Sequence, residues 1–244
     1  MKMRKISPWM QLPAVALALG VWAHAADAMM IDFETMPGGG TATESVAISD
    51  QFRSTFGVRF LMEGGGVPLL AQVGGAMTAF GGGIENVPDM PLPGQGVGDF
   101  FLTDDGSVAA PPRPLWIGYD TPVAGASGVI LDVDFWGRST TIYESWSIDA
   151  FDIHGQYLDT IEISAGDPGA GDGVASTWSF ERPTADIRMI RVTYTGTKDF
   201  GVGLAFDNFS PSEPARGPAT PEPGAAALFA LGLAVATRRA RVRR

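Results

Sequence analysis

Short runs of alternating apolar and polar residues fill the middle of this 244-residue chain, and glycine or proline separates one run from the next. In residues 129–136 the apolar side chains of Val129, Leu131, Val133 and Phe135 are expected on one face, opposite Asp132 and Asp134. No window of eleven or more residues between 29 and 209 has a clear 3.6-residue period. The pattern predicts an all-β domain, and about ten strands at short intervals favour an antiparallel β-sandwich.

The predicted strands are short, and two glycine-rich loops interrupt them. Residues 81–98 and 165–173 combine glycine, proline and acidic residues, which is typical of loops and turns. The predicted strands cover residues 30–34, 57–62, 100–103, 115–119, 129–136, 146–152, 157–163, 187–194 and 202–209.

The amino terminus has the three parts of a secretory signal. A basic start is followed by ten apolar residues at 12–21 and then by small residues around Ala25 and Ala28. This order predicts a signal peptide over residues 1–28, cut after Ala28, with Ala25 as the alternative site. The apolar run is too short for a stable membrane span of about 20 residues.

The carboxyl terminus carries thirteen apolar residues at 224–236, followed by arginines. As a helix this segment would extend about 20 Å, against a hydrocarbon core of about 30 Å. Basic residues at a membrane border stay on the cytoplasmic side, so an exported chain is expected to pause here with its body outside. Residues 210–220, which precede this region, are rich in proline and are predicted to be an extended linker.

Residues 221–244 resemble the PEP-CTERM sorting signal of Gram-negative bacteria. The three parts of that signal are Pro221-Glu222-Pro223, the apolar segment, and an arginine cluster that includes Arg238, Arg239 and Arg241. The resemblance implies an exosortase-type membrane protease and a signal peptidase as partners. It also implies export through the inner membrane, transient anchoring by this tail, and a final place at the cell surface or outside the cell, among exopolysaccharide or biofilm.

The body resembles the galactose-binding or jelly-roll-type sandwiches found in proteins with this signal. The resemblance lies in IDFE at 31–34, GVRF at 57–60, AFDIHGQYL at 150–158 and FDNF at 206–209. It implies a jelly-roll-like β-sandwich over residues 29–209, flanked by a signal helix and a short apolar carboxyl-terminal helix.

Charge and cysteine content exclude several classes of function. The chain has 17 basic and 27 acidic side chains, and residues 29–220 keep 9 and 25 of them. Such an acidic body is not expected to bind nucleic acid or anionic lipid. The chain has no cysteine, so disulfides and thiol chemistry are absent.

No catalytic motif stands out in the body. The G-x-S-x-G motif is absent, and the body's one histidine, His154, lies in a predicted hairpin turn. The carboxylate pairs Asp104–Asp105 and Asp132–Asp134 are expected on solvated faces rather than in an acid–base pair. A non-enzymatic protein is therefore expected, and an extracellular carbohydrate-active hydrolase is the alternative.

Four tryptophans of the body are candidates for sugar stacking or for the core. Most are expected in the core because a buried indole removes a large apolar area from water. Trp136, beside Asp134, is the candidate for an exposed ring that binds a ligand. The tryptophans concerned are Trp116, Trp136, Trp146 and Trp178. The expected function is a surface or matrix module that binds or organises glycan, with a purely structural matrix role as a further alternative.

A structural Ca²⁺ is expected where the first and last strands meet. Calcium takes six to eight oxygen ligands, chiefly from carboxylates and backbone carbonyls. Sandwiches of the kind that this chain resembles often have neighbouring first and last strands. Glu34 and Asp207 are then the expected metal ligands, near Asp32, Asn208 and the carbonyls of residues 38–43. The competing interpretation is that these side chains are solvated or belong to a turn.

Overall fold

The computed structural model describes residues 30–75, 91–104, 111–199, 201–203 and 205–211. The predicted signal helix, the sorting signal with its apolar helix, and residues 212–220 of the linker lie outside the described residues. Twelve strands and one short helix are described: β1 Thr35–Met36, β2 Gly40–Thr41, α1 Arg53–Phe56, β3 Val58–Met62, β4 Leu69–Gln72, β5 Phe100–Thr103, β6 Leu115–Val123, β7 Gly125–Leu131, β8 Ser145–Phe151, β9 Tyr157–Ser164, β10 Ala175–Glu181, β11 Ile187–Tyr194 and β12 Phe206–Pro211.

Two five-stranded sheets form the domain, and every pair of neighbouring strands is antiparallel. Sheet 1 has the order β10-β7-β12-β5-β4, and sheet 2 has the order β3-β6-β11-β8-β9. A separate two-stranded hairpin pairs β1 with β2. The prediction of an all-β antiparallel sandwich is confirmed. In the part of the chain that the structure describes, no helix is long and apolar enough to cross a bilayer.

Alternation along each strand of sheet 2 produces one buried and one solvent-facing side. In β3, Val58, Phe60 and Met62 are buried, whereas Arg59 and Leu61 are exposed. The first five residues of β6 repeat this period, and the apolar side chains of all five strands share a single core. The core is rich in phenylalanine, and its rings make edge and tilted contacts with centroids about 6 Å apart.

A short helix that the sequence pattern does not predict leads into β3. Helix α1 ends at Gly57, whose φ of +67° is a left-handed conformation that glycine adopts without strain. The N–H of Gly57 donates to the carbonyl of Arg53 and closes the turn. Gly57 therefore ends the helix, and the predicted strand 57–62 begins one residue later, at Val58.

Two of the predicted strands, 129–136 and 30–34, end early or nearly vanish in the structure. Strand β7 ends at Leu131, not at residue 136, because Asp132 adopts a φ of +62° that interrupts the extended backbone. Val129 and Leu131 belong to a small cluster with Phe101, apart from the main core. Strand 30–34 is reduced to one bridge between Ile31 and the last strand.

The last strand lies in sheet 1 between β7 and β5. It begins at Phe206 and reaches Pro211. Backbone hydrogen bonds join Ile31 and Phe209 in both directions, at 2.6 and 2.9 Å. The first and last segments of the domain are therefore neighbours, as the calcium prediction requires.

Candidate functional site

The outward side of sheet 2 carries two rows of side chains that cross all five strands. One row is Leu61, Trp116, Arg191, Asp149 and Thr160, in the order of the sheet. The next row is Arg59, Gly118, Met189, Phe151 and Tyr157. Because alternate residues of these strands are in the core, both rows face solvent. We call the surface formed by these two rows the aromatic face.

Three aromatic rings lie side by side on the aromatic face. The rings of Trp116 and Phe151 have centroids 5.7 Å apart, and Phe151 and Tyr157 make an edge contact at 6.2 Å. Tyr157 is the most accessible of the three, with 58% of its surface exposed. The guanidinium of Arg191 lies 5.5 Å from the Trp116 ring centre and 5.3 Å from that of Phe151. The face therefore offers apolar ring surface beside a fixed cation.

Asp149 holds this cation in place. Its carboxylate accepts a hydrogen bond from Arg191 at 2.8 Å and others from Thr160 at 2.8 Å and Ser147 at 3.0 Å. Only 7% of Asp149 is exposed. Burial alone would raise the pKa of Asp149, but the hydrogen bonds from Arg191, Thr160 and Ser147 outweigh burial and lower it. The pair is therefore ionised and preorganised around neutral pH.

Trp136, the predicted ligand-binding ring, lies elsewhere. It is half-buried, and the ammonium of Lys198 lies 5.8 Å from its ring centre. Lys198 donates to Glu144, which directly precedes β8, whereas Phe151 ends that strand. Seven residues of strand place the two regions about 20 Å apart. Trp136 and the aromatic face are therefore separate candidates.

A buried ion-pair cluster surrounds Lys198. Its ammonium lies 2.8 Å from Glu144 and 3.6 Å from Asp134. Burial raises the pKa of Glu144 to about 8, against the pull of Lys198. Burial lowers the pKa of Lys198, but the neighbouring carboxylates outweigh it and raise that pKa, so the lysine stays protonated.

The expectation that Asp132 and Asp134 lie on a solvated strand face is wrong. Both residues follow the end of β7, and Asp132 is buried, with its carboxylate accepting from the N–H of Gly173 at 2.8 Å. Asp104 is buried as well, and Asp105 lies outside the described residues. Asp132 and Asp134 can lie wholly or partly away from solvent because a backbone N–H and the ammonium of Lys198 pair with their carboxylates.

Two of the four tryptophans lie in the core, fewer than expected, and His154 lies in the predicted turn. Trp146 and Trp178 are buried in the core, whereas Trp116 is half-exposed on the aromatic face. His154 is exposed in the turn between β8 and β9, where its N–H donates to Asp152 at 2.8 Å.

The structure brings Glu34 and Asp207 to the junction of the first and last segments. Asp207 is fully buried, with 0% exposed, and neither of its carboxylate oxygens has a hydrogen-bond partner of good geometry. Burial, together with the charges of Glu34 and Asp32, raises the pKa of Asp207 to about 8, although nearby amides of Asn208 and Gly98 oppose the shift. A buried carboxylate with no partner and two anionic neighbours needs a proton or a cation.

The loop before β5 packs closely against Glu34. The carboxylate of Glu34 accepts a hydrogen bond from the N–H of Phe100 at 2.8 Å and occupies the space that a side chain at position 98 would need. Only glycine leaves that space open. Phe33 and Asn208, which adjoin the carboxylates, have φ values of +57° and +51°. Such strained positions persist only where surrounding structure holds them, and they often mark functional sites.

The oxygen atoms at the junction are of the kind that a hard cation such as Ca²⁺ prefers, although their side chains do not already form a coordination shell. Within residues 30–75, 91–104, 111–199, 201–203 and 205–211, no three His, Cys, Asp or Glu side chains form a metal-binding group. Calcium binding would therefore use Asp207 and Glu34 with backbone carbonyls, which are ordinary calcium ligands.

Comparisons with known proteins give weak structural likenesses only. No family model matches the chain, and no curated protein matches it in sequence. The carbohydrate-binding module TmCBM61, solved in complex with β-1,4-galactotriose, has a TM-score of 0.33 and 9% identity over 65% of this chain and 91% of the module. The K1 cleaved adhesin domain of Lys-gingipain from Porphyromonas gingivalis W83 has a TM-score of 0.31 and 11% identity, over 76% of this chain and 97% of that domain.

A third likeness is to the CBM22-1–GH10 modules of endo-1,4-β-D-xylanase 10B from Clostridium thermocellum, solved with xylohexaose. The TM-score is 0.31 and the identity 15%, over 70% of this chain and 28% of that one. This chain therefore spans under a third of the xylanase fragment. At such TM-scores these likenesses show nothing about the ligand of this chain.

Proposed function

We propose that the domain is a non-enzymatic glycan-binding module and that a sugar chain binds along the aromatic face. The observation that carries this proposal is the row of three rings, with the exposed ring of Tyr157 at its end, beside the Arg191–Asp149 pair. A sugar ring has an apolar side that stacks on aromatic carbon and hydroxyls that accept from a guanidinium. The exposed ring of Tyr157 offers the stacking surface, and Asp149 already fixes the guanidinium of Arg191.

Replacing Tyr157 with alanine should weaken glycan binding about tenfold, since the most exposed ring of the face would be lost. The measurement is a glycan array with the full chain, followed by calorimetric titration of any glycan that binds. Ile153→Ala removes another highly exposed apolar side chain, in the turn between β8 and β9, and serves as the matched control. Equal affinity for Tyr157→Ala and the parent chain would contradict the proposal.

Trp136 remains the rival stacking platform, and the same titration separates the two. A loss of affinity in Trp136→Ala, with Tyr157→Ala unchanged, would move the site to the Lys198 end of the domain. A loss in Tyr157→Ala alone is the expected result.

A hydrolase acting on the same polymers is the second candidate function. The raised pKa of Glu144 is the feature that favours it, because a general acid must keep its proton near neutral pH. Only 4% of Glu144 is exposed and Lys198 covers its carboxylate, so access for a glycosidic oxygen is poor. A reducing-sugar assay on every glycan that binds tests this candidate, and any turnover that Glu144→Gln abolishes would establish it.

The ends of the chain support export as part of the proposed function. Residues 1–28 would direct the chain across the inner membrane, and residues 221–244 would hold it there until an exosortase-type protease removes them. The body would then remain at the cell surface or among extracellular polysaccharide.

Intact-mass spectrometry of the protein recovered from outside a Gram-negative host should show both ends missing. The expected cuts lie near Ala28 and near Pro221–Pro223. Changing Glu222 to alanine should leave the first cut in place and reduce the second, because it alters the sorting motif alone. Extracellular protein that keeps its carboxyl-terminal arginines would contradict the second cut.

A structural calcium ion at the junction completes the proposal. The fully buried Asp207, without a hydrogen-bond partner and facing the charges of Glu34 and Asp32, supports it. The ion would supply the positive charge that these carboxylates lack and would join the first and last segments of the domain. Its test is a stability measurement.

A further inference from the structure

A groove of about 480 Å³ lies on sheet 1, where β7 runs between β10 and β12. Its walls include side chains from β7 and β10, the loop that precedes β5, and the start of the domain. The residues that matter are Ser127, Thr177, Ser179, Gln95, Asn208 and Met30. Thr177 and Ser179 alternate with the buried Ser176, Trp178 and Phe180, so they face away from the core.

The amide side chains of the groove are fixed by one hydrogen bond each and keep further capacity. Gln95 accepts from the N–H of Ala175 at 2.9 Å, which leaves its two amide N–H donors. Asn208 donates to the carbonyl of Gly96 at 2.9 Å, which leaves its carbonyl oxygen. Both amides are therefore oriented before any ligand arrives.

Three hydroxyls add to this set. The hydroxyls of Ser127, Thr177 and Ser179 line the groove. Each hydroxyl can donate one hydrogen bond and accept two. Donors and acceptors are thus both present along the groove, at positions set by neighbouring strands about 4.8 Å apart.

Among the residues that the structure describes, no charged side chain lines the groove. Residues 29–220 contain 25 acidic and 9 basic side chains, so an uncharged polar groove differs from the composition of the body. An anionic ligand would find no cation here, and a cationic ligand would find no carboxylate. The groove matches a ligand that is neutral and rich in hydroxyls.

Exposed Ser and Thr on an outward strand face are common in antiparallel sheets and alone indicate nothing. Here the hydroxyls line a concavity with two oriented amides, and the concavity is large enough for a sugar unit. Met30 adds an exposed thioether side chain at the rim, which can cover the apolar side of a sugar ring.

We infer that this groove is a second saccharide site, specific for an uncharged sugar unit, on the sheet opposite the aromatic face. The inference rests on the proposed function in that it makes the same domain bind glycan on two sides. Sheets of a sandwich are about 10 Å apart, and the two sites face outward in opposite directions. One domain could then join two polysaccharide chains, which is a way of organising a matrix without catalysis.

The experiment compares three variants of the full chain in calorimetric titrations with neutral glucose, galactose and mannose hexasaccharides. Thr177→Val with Ser179→Ala removes hydroxyls from the groove while preserving side-chain shape. Tyr157→Ala removes the stacking ring of the aromatic face. Ser54→Ala with Thr55→Val removes exposed hydroxyls in α1 and is the matched control.

Two sites per chain are expected in the parent and in the control. The groove variant should lose the groove site, with at least tenfold weaker binding there, and keep the other. Mixing the parent with a long neutral polysaccharide should produce turbidity, and both single-site variants should prevent it.

The two proposals fail in different ways. One site per chain, lost in Tyr157→Ala and unchanged in Thr177→Val/Ser179→Ala, would overturn the groove and leave the aromatic face. One site lost only in the groove variant would support the groove and overturn the aromatic face. The same titrations with charged hexasaccharides are the comparison. Tighter binding of charged than of neutral sugars at the groove would overturn the groove proposal, because none of the described residues that line it is charged.

Discussion

Adding 1 mM calcium to the full chain should raise its melting temperature by about 5–10 °C relative to EDTA. An ion at one hundred times its dissociation constant stabilises the native state by about 2.7 kcal/mol. For a domain of this size, 1 kcal/mol shifts the melting temperature by about 2–4 °C. The measurement is thermal unfolding followed by circular dichroism or calorimetry, with magnesium at the same concentration as the ionic control.

The physical reason is the state of Asp207 without an ion. Its carboxylate is fully buried and unpartnered, with the charges of Glu34 and Asp32 nearby. Ionising it in that position is unfavourable by several kcal/mol, whereas calcium turns the same cluster of oxygens into ligands. Magnesium, which demands a near-ideal octahedron and keeps its waters, should have a much smaller effect.

Two variants test whether Asp207 is the ligand responsible for this calcium effect. Asp207→Asn should abolish the calcium effect, yet in EDTA at pH 8 it should be at least as stable as the parent, because it removes a buried charge. Asp172→Asn alters an exposed carboxylate in the turn before β10 and should change neither value. An unchanged melting temperature with and without calcium in the parent would remove the ion from the proposal.

The same group sets a pH dependence in EDTA. The folded-state pKa of Asp207 is raised from 3.8 to about 8, so the folded state holds its proton where the unfolded state releases it. The contribution of Asp207 to the free energy of unfolding is therefore fully present below about pH 4. It falls by about 1.4 kcal/mol per pH unit as the pH rises toward 8. Calcium should flatten this decline, since the ion binds the ionised carboxylate.

Strand alternation allowed much of the fold to be predicted, because a period of two places one side of a strand in a core. It misplaced residues 129–136, where Val129 and Leu131 cover the outer side of sheet 1 and Asp132 adopts a left-handed conformation. Both faces of β7 are covered, so alternation there does not distinguish the main core from the smaller cluster. The positive φ of an aspartate has no clear sequence signal either.

One candidate site could be expected before the structure was known, and the other could not. Glu34 and Asp207 could be paired in advance because the sandwiches that this chain resembles often have neighbouring first and last strands. The aromatic face could not, because the contact of Phe151 with Trp116 depends on the register of β8, β11 and β6. The turn after β8 gave a partial signal, since a hairpin must return Tyr157 beside Phe151.

Replacing Phe209 with alanine should destabilise the domain by about 3–5 kcal/mol, the range measured for large aromatic residues in closely packed cores. Phe209 is fully buried, and its ring lies about 6 Å from those of Phe60, Tyr119 and Phe206. Such rings bury a large apolar area, and the cavity left by truncation loses those contacts outright. Denaturant unfolding of the full chain measures the change.

Phe209 also connects this core to the calcium junction, so its variants test more than packing. Its backbone bonds to Ile31 close the first and last segments, and Asp207 lies two residues before it. Phe209→Leu keeps apolar volume and should lose less than half as much stability, whereas Tyr157→Ala, at an exposed ring, should lose under about 0.5 kcal/mol. If the core positions Asp207, then Phe209→Ala should also reduce the calcium-dependent rise in melting temperature, and Tyr157→Ala should leave that rise intact. A full calcium effect in Phe209→Ala would show that the carboxylates are positioned by the backbone pairing of the two segments and not by the ring beneath them.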